Sequence, residues 1–126
     1  MTDKLRTRIK KHRWFAKFAS REGIGDAAVE PVTNGLIDAD LGGGLIKLRV
    51  AREGGGKSSG CRTRVLFRRE ERAIFAFGFA KSSKANLNAA ELRTCKQAAK
   101  IVLALTQAQV DTEVQEGRLF EVNDDA

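Results

Sequence analysis

Residues 41–81 read LGGGLIKLRVAREGGGKSSGCRTRVLFRREERAIFAFGFAK, and this stretch decides the fold. Glycine-rich turns punctuate three runs in which apolar residues either alternate with bases or dominate, as in β-strands joined into a small sheet. In residues 45–51, Leu48 and its apolar neighbours point one way, and Lys47 and Arg49 point the other. We therefore predict a half-buried strand with a basic outer side.

The two following runs extend this sheet. Residues 61–68 alternate small or apolar residues with arginines, which predicts a second strand with a basic side. Residues 73–80 are almost continuously apolar, which is typical of a central strand. Phe75, Phe77 and Phe79 share one phase of that strand. Phe79 therefore has two interpretations, a core residue or a platform on which a base could stack.

Further elements are predicted before and after these strands in the sequence. Residues 5–10 alternate weakly and predict a first, edge strand, since exposed bases discourage pairing with other chains. Residues 13–19 have apolar residues at helical spacing, so a short helix should end before Gly23. A second helix is expected to begin at Asp26 or near Glu30, because Pro31 fits only a first turn.

The C-terminal third predicts a long helix that lies on the sheet. Asn88 and Glu91 have the spacing of a capping box, and an apolar stripe that includes Ile101 follows them. A shorter helix should end at Gly117, and residues 119–122 predict a short closing strand.

Charge is strongly polarised along the chain, whose formal net charge is +7. Residues 1–21 hold eight bases and one acid, and residues 47–84 hold eleven bases and three acids. Residues 22–46 and 111–126 are acidic by contrast, with five and six carboxylates. A basic sheet face with acidic flanks suits a polyanion, and we expect RNA as the partner. A merely basic small protein would show similar totals.

Cysteine usage and hydropathy narrow the class of protein. Cys61 and Cys95 are too few for a disulfide framework, and no Cys/His cluster has metal-ligand spacing. We therefore expect no metal and no other cofactor. No apolar stretch approaches the roughly 18 residues of a membrane span, and no signal-peptide core follows the basic start. We expect a cytoplasmic protein with no membrane partner.

At this point the chain resembles a known family. The resemblance rests on residues 41–50, on residues 56–63, on residues 77–81 and on Asn86. Together these motifs resemble the RelE/HigB-type toxins of bacterial type II toxin-antitoxin modules. The segment IDADLGGGL at residues 37–45 is similar to that of a RelE-like subgroup.

The resemblance implies an α+β fold: one compact RelE-like, microbial RNase-like domain over residues 1–126. It would contain a small, mainly antiparallel sheet, two N-terminal helices and a long C-terminal helix, with a basic segment or edge strand at 1–12 and an acidic tail at 123–126. The implied activity is metal-independent endoribonuclease cleavage of messenger RNA on the ribosome, which inhibits translation. A cognate antitoxin, expected to be of helix-turn-helix type, would neutralise the toxin and alone link it to operator DNA.

Site residues follow from the matched motifs and from the strand pattern. Those expected to be catalytic are Arg62, Lys81 and Lys47. Those expected to bind RNA are Arg49, Lys57, Arg64 and Phe79. Arginine suits a phosphate clamp, because its planar fork donates two parallel hydrogen bonds and stays charged. Which group acts as general base or acid is left open.

Two other functions remain open from the sequence. The chain has no tyrosine, and its one histidine, His12, lies far from the sheet motifs in sequence. A toxin that resembles ParE and binds DNA gyrase would need no catalytic base. An inactive relic that binds only its antitoxin is the other alternative.

Overall fold

The computed structural model describes residues 8–34, 37–51, 61–68, 71–80 and 86–122. These residues form one six-stranded sheet with helices on both faces. The strands are β1 (Arg8–His12), β2 (Ala39–Gly42), β3 (Leu45–Val50), β4 (Cys61–Arg68), β5 (Arg72–Ala80) and β6 (Leu119–Glu121). The α-helices are α1 (Arg13–Glu22), α2 (Ala89–Val102) and α3 (Gln107–Gln115), and a 3₁₀ helix spans Asp26–Asn34.

The strands lie in the order β2-β3-β4-β5-β1-β6. Only the β1–β5 pair is parallel, and the other described pairs are antiparallel. The predicted mixed fold with a mainly antiparallel sheet is therefore confirmed. β5 lies between β4 and β1, as expected for a central strand.

The prediction of an N-terminal edge strand is wrong. β1 begins at Arg8 and lies inside the sheet between β5 and β6, while residues 1–7 fall outside the described part. The basic side chains that suggested an edge have acidic partners instead: Lys10 lies 3.5 Å from Glu121, and Lys11 lies 2.8 Å from Asp26. Alternation alone could not reveal these partners, because both are distant in sequence.

Two apolar clusters cover the two faces of the sheet. The first packs α1 and the 3₁₀ helix on one face, which we call the α1 face, and includes Phe15, Phe18, Val29, Leu48 and Phe75. The second packs α2 and α3 on the other face, which we call the α2 face, and includes Leu45, Leu66, Ile74, Ala99 and Leu103. Burial of both faces explains why β4 and β5 carry nearly continuous apolar runs.

The helices differ in placement from the sequence-based prediction. α1 ends where Gly23 adopts a φ of 72°, as expected. The second N-terminal helix is a 3₁₀ helix that begins at Asp26, not an α-helix. Two of the described α-helices, α2 and α3, follow β5, so most of the α-helical structure comes after the first five strands. The capping box of Asn88 and Glu91 is present at the start of α2.

A bulge in β5 changes which face its side chains meet. Arg64 pairs with Phe77 while the next residue of β4, Val65, pairs with Phe75, so β5 carries one extra residue, Ala76. Phe75 therefore packs under α1, whereas Phe77 and Phe79 lie on the α2 face beside the β4 arginines. The prediction that the three phenylalanines share one phase is wrong for this reason.

The apolar stripe of α2 is also narrower than predicted. Ile101 is 65% exposed, while Ala99 and Leu103 are buried against the sheet. Within the described part of the chain, no helix has the length and apolar character that crossing a membrane requires.

Candidate nucleic-acid interface

Four basic side chains come together on the α2 face through the register of β3 and β4. Lys47 lies directly opposite Arg64, and Arg49 lies directly opposite Arg62. Like charges in directly opposed positions destabilise a sheet, because their Cβ atoms are only about 5 Å apart. Two such pairs in succession therefore mark a surface that an anion would stabilise.

These side chains line one cleft, which we call the cationic cleft. Its volume is about 330 Å³, and its lining residues are Asp38, Lys47, Leu48, Arg49, Arg62, Arg64 and Asn86. Of the seven described residues that line it, four are bases and one is an acid. The local electrostatics therefore favour a polyanion.

Arg64 is the most buried base of the cleft, with 2% of its surface exposed. Its Nη1 donates to the Thr63 carbonyl at 3.0 Å, its Nη2 donates to Asn86 Oδ1 at 3.5 Å, and its guanidinium lies 5.2 Å from the Phe79 ring centroid. Among the described residues, its buried Nε has no hydrogen-bond partner. Burial lowers the pKa of Arg64, opposed by Cys95. The strand pattern places Arg64 on the basic side of β4 as an RNA-binding candidate, but the side chain is buried there, beside Phe79 of β5 and close to Cys95 of α2.

Asp38 holds Arg49 in place at the other side of the cleft. Its Oδ2 accepts the Arg49 backbone N–H at 2.6 Å and lies 3.5 Å from Arg49 Nε. Its own N–H donates to the Lys47 carbonyl at 2.9 Å. Sequence reasoning quoted Asp38 within residues 37–45 but assigned it no role. The adjoining strand β2, which would have placed it beside β3, was not predicted.

The predicted site residues fall into three groups. Lys47, Arg49, Arg62 and Arg64 share the cationic cleft. Phe79 is 5% exposed and Arg64 covers its ring, which favours the interpretation as a packing residue. Lys57 and Lys81 lie outside the described residues. Asn86, which carried no predicted role, joins the cleft and binds Arg64.

Two other bases on this face, Arg68 and Arg72, contact α2 and do not line the cationic cleft. Arg72 Nη1 donates to the Val102 carbonyl at 3.0 Å, and Arg68 Nη2 donates to the Leu103 carbonyl. These carbonyls lie at the C-terminal end of α2, where unsatisfied oxygens carry partial negative charge. Arg68 and Arg72 therefore anchor the helix to the sheet.

His12 lies outside the cationic cleft and caps α1. Its Nδ1 accepts the Trp14 backbone N–H at 3.1 Å. Partial burial and the neighbouring Arg13 lower the pKa of His12, and Glu113 opposes them. The neutral ring that can accept this hydrogen bond is thus favoured. In the described ranges, no three His, Cys, Asp or Glu side chains group as metal ligands would.

Comparison with known proteins identifies the family. No curated protein matches the chain. Residues 7–122 match the family described as the RelE toxin of the RelE / RelB toxin-antitoxin system. This match covers all six strands and the three α-helices. The chain therefore belongs to the RelE toxin family.

Proposed function

We propose that this protein is a toxin that cleaves messenger RNA on the ribosome and so inhibits translation. The observation that carries the proposal is the two pairs of opposed cations that line one cleft, Lys47 with Arg64 and Arg49 with Arg62. RNA supplies phosphates at close spacing, and neutralising them releases condensed counterions. Membership of the RelE toxin family supports RNA as the polyanion.

The proposed reaction is attack of a ribose 2′-oxygen on its own 3′-phosphate. A base removes the 2′-hydroxyl proton, the new O–P bond forms, and the bond to the 5′-oxygen of the next nucleotide breaks. That oxygen takes a proton, which leaves a 2′,3′-cyclic phosphate and a 5′-hydroxyl end. The crowded phosphorane carries extra negative charge, so preorganised cations lower the barrier.

We assign the described residues to distinct parts of this reaction. Arg62 is half-buried in the cleft and clamps the phosphorane oxygens with its planar fork. Arg64, which is buried, supplies a fixed positive charge from beneath the cleft. Lys47 provides a third cation and, with Lys81, is a candidate for proton transfer. Asp38 positions Arg49 through two contacts.

Neutralisation by a cognate antitoxin is part of this proposal. The family match names a toxin-antitoxin system, and a cationic cleft suits a partner with acidic surface. We propose that this antitoxin is of helix-turn-helix type, that it alone carries the toxin to operator DNA, and that the toxin acts in the cytoplasm.

The test is primer extension on a messenger RNA incubated with purified ribosomes and this protein. Wild type should give cuts inside codons that require ribosomes, and Arg62→Ala should lose them by roughly a hundredfold or more. Arg21→Ala is the matched control, since Arg21 is an exposed base on α1, outside the cleft. It should cut like wild type.

Two results would contradict the proposal. Equal cutting by wild type and Arg62→Ala would remove the cleft from the reaction. No cuts from folded, antitoxin-free wild type would favour gyrase binding or a toxin that only binds its antitoxin. Gyrase poisoning would then appear as DNA damage with intact messenger RNA.

A further inference from the structure

The cationic cleft contains a carboxylate among its bases. Of the described residues that line the cleft, Asp38 is the only acid, and the others are four bases, an amide and a leucine. Lysine and arginine hold their protons at neutral pH and only donate hydrogen bonds, and a side-chain amide takes up no proton in this range. An aspartate is a proton acceptor at the same pH. Among these lining groups, Asp38 is therefore the one suited to remove a proton from a substrate.

The backbone of β3 holds Asp38 in place. Asp38 immediately precedes β2, and its N–H donates to the Lys47 carbonyl at 2.9 Å. Its Oδ2 accepts the Arg49 backbone N–H at 2.6 Å and lies 3.5 Å from Arg49 Nε. Both contacts with Arg49 use Oδ2, so the second oxygen, Oδ1, is not the atom that holds Arg49. The side chain is 25% exposed, which allows a substrate in the cleft to reach it.

Asp38 and Arg62 lie on opposite sides of β3. Asp38 contacts Arg49 from the β2 side, and Arg62 is directly opposite Arg49 on β4. Neighbouring strands are about 4.8 Å apart, so the backbones of Asp38 and Arg62 are separated by about 10 Å. This separation leaves room for one ribose and its 3′-phosphate between the two side chains. A proton acceptor at one side of the cleft thus faces a phosphate clamp at the other.

From this placement we propose that Asp38 is the general base of the cleavage reaction. Its carboxylate takes the proton of the ribose 2′-hydroxyl, the 2′-oxygen bonds to the adjacent phosphorus, and the bond from phosphorus to the 5′-oxygen breaks. A protonated lysine of the site gives its proton to the leaving 5′-oxygen. The carboxylic acid formed at Asp38 then releases its proton to water. The inference rests on the proposed ribonuclease function and assigns one of its two proton transfers.

The other titratable groups are less suited to this step. A lysine must lose its proton before it can act as a base, so a rate that depends on a lysine base rises about tenfold per pH unit near neutrality. His12 lies outside the cleft, where its Nδ1 accepts the Trp14 N–H. If Asp38 is the base, the protonated form of Lys47 is left for the opposite transfer, the protonation of the leaving group.

The test is the pH dependence of single-turnover cleavage of a ribosome-bound messenger RNA. The wild-type rate should be flat between about pH 6 and pH 8, because an aspartate has already lost its proton in this range. Asp38→Asn should lower the rate at neutral pH by roughly 10²- to 10⁴-fold. Its residual rate should rise about tenfold per pH unit, because hydroxide then replaces the missing base. Asparagine keeps an oxygen that can accept the Arg49 N–H but cannot take the proton.

Asp40→Asn is the matched control for this substitution. Asp40 is an exposed residue of β2 that does not line the cleft, and its Oδ1 accepts the Gly42 N–H at 2.8 Å. The variant loses the same charge two residues away, so it should cut like wild type and keep a flat profile. Binding of a 2′-O-methyl oligonucleotide to Asp38→Asn should be unchanged or tighter, since the cleft loses a negative charge. A defect in chemistry is thereby separated from a defect in binding.

Asp38→Glu supplies a second variant that retains a carboxylate. It should cut more slowly than wild type, because the longer side chain displaces the base, but its pH profile should remain flat. A profile that rises with pH in Asp38→Glu, as expected for Asp38→Asn, would contradict the role of the carboxylate. Thermal denaturation of each variant identifies any loss of activity that comes from unfolding, and the comparison then uses the variant that folds.

Each remaining outcome decides between roles. A loss in Asp38→Asn that is the same at every pH would leave Asp38 only the positioning of Arg49 and would overturn the proposal. A wild-type rate that rises tenfold per pH unit would assign the base to a lysine instead. Unchanged cleavage in Asp38→Asn would overturn this inference alone. No cleavage by folded wild type would overturn the proposed function together with it.

Discussion

Arg64 shows how a single residue can be placed correctly by alternation and still be misjudged in its surroundings. The strand pattern puts it on the basic side of β4, where it does lie. Yet it is 2% exposed, and its buried Nε lacks a hydrogen-bond partner in the part of the chain that the structure describes. A buried, incompletely paired charge stabilises a fold less than an apolar side chain of similar volume. We infer that Arg64 is present for the charge it gives the cationic cleft.

This inference predicts the effect of Arg64→Met. The free energy of unfolding should stay within about 1 kcal/mol of wild type or rise, because the substitution removes a desolvated cation and keeps the volume. Binding of single-stranded RNA should weaken. Urea denaturation measures the first quantity, and fluorescence anisotropy measures the second. Lys47→Met is the control. It also removes one positive charge from the cleft, but from a half-exposed side chain rather than a buried one.

A loss of more than about 2 kcal/mol in Arg64→Met would contradict this view. It would mean that the bonds to Thr63 and Asn86 stabilise the fold by more than burial of the guanidinium costs.

His12 predicts a pH dependence of stability. Its pKa is lowered in the folded state, first by burial and then by Arg13. The unfolded chain therefore binds the proton more readily, and stability falls as the pH drops through the ordinary histidine range near 6.5. Above that range the cap on Trp14 is fully present. Urea titrations at a series of pH values around 6.5 measure the effect.

His12→Asn is the informative variant for this prediction. Asparagine caps a helix with its side-chain oxygen but does not titrate, so the pH dependence in this window should disappear while stability at neutral pH is kept. Glu113 does not contribute to the pH dependence in this window, because Arg118 lowers the pKa of Glu113 and this carboxyl therefore titrates at more acidic pH. The same slope in both proteins would show that another group is responsible.

At the scale of elements, the β2–β3 turn is pressed against the end of α2. Gly44 has a φ of +85°, and a Cβ at this position would overlap Leu103 Cδ1. Gly44→Ala should therefore destabilise the fold by about 2–3 kcal/mol through backbone strain and overlap together. Gly43 has a φ of +65° but open space around it, so Gly43→Ala should cost only about 1–2 kcal/mol. Equal losses of unfolding free energy would show that the turn does not press on α2.

The elements that sequence reasoning predicted well are those whose signals are local. The capping box of Asn88 and Glu91 satisfies the first turn of α2 with residues three positions apart. Gly23 ends α1 because its own backbone adopts the left-handed region. Neither signal depends on a partner elsewhere in the chain, so both can be identified without a structure.

The features that sequence reasoning placed wrongly or did not predict depend on partners distant in sequence. β1 pairs in parallel with β5, across more than sixty residues, and nothing in its own pattern indicates that neighbour. The extra residue at Ala76 is visible only when β4 and β5 are set side by side. That one bulge moves Phe77 and Phe79 to the face of the basic residues, and it creates the contact between Phe79 and Arg64.

The residues of the candidate site also divide into those that local patterns predict and those that depend on distant partners. Lys47, Arg49 and Arg62 could be predicted as neighbours, because simple alternation places them on one side of adjacent strands. Asp38 could not, since its contact with Arg49 arises from the unpredicted strand β2. The burial of Arg64 could not be predicted either, because it results from the bulge and from α2.

At the scale of the whole molecule, the two faces of the sheet differ in what they present. The α1 face buries its apolar residues under α1 and the 3₁₀ helix. The α2 face instead leaves four bases in one cleft, with an apolar concavity of about 340 Å³ beside it. The surface that favours an anion therefore lies on the α2 face.

The charge of the cleft predicts how RNA binding depends on salt. A short 2′-O-methyl oligonucleotide confines contacts to the cleft and cannot be cleaved, because its attacking hydroxyl is blocked. For single strands the slope of log K against log salt is about −0.7 per neutralised phosphate, so four cations would give about −3. Asp38 already neutralises part of the Arg49 charge, which makes the expected slope somewhat shallower.

Arg62→Gln should reduce the magnitude of this slope by about 0.7, whereas Arg21→Gln, on α1, should leave it unchanged. Equal slopes for wild type and Arg62→Gln would show that the RNA backbone binds elsewhere on this strongly basic chain, and the cationic cleft would then lose its place as the substrate site.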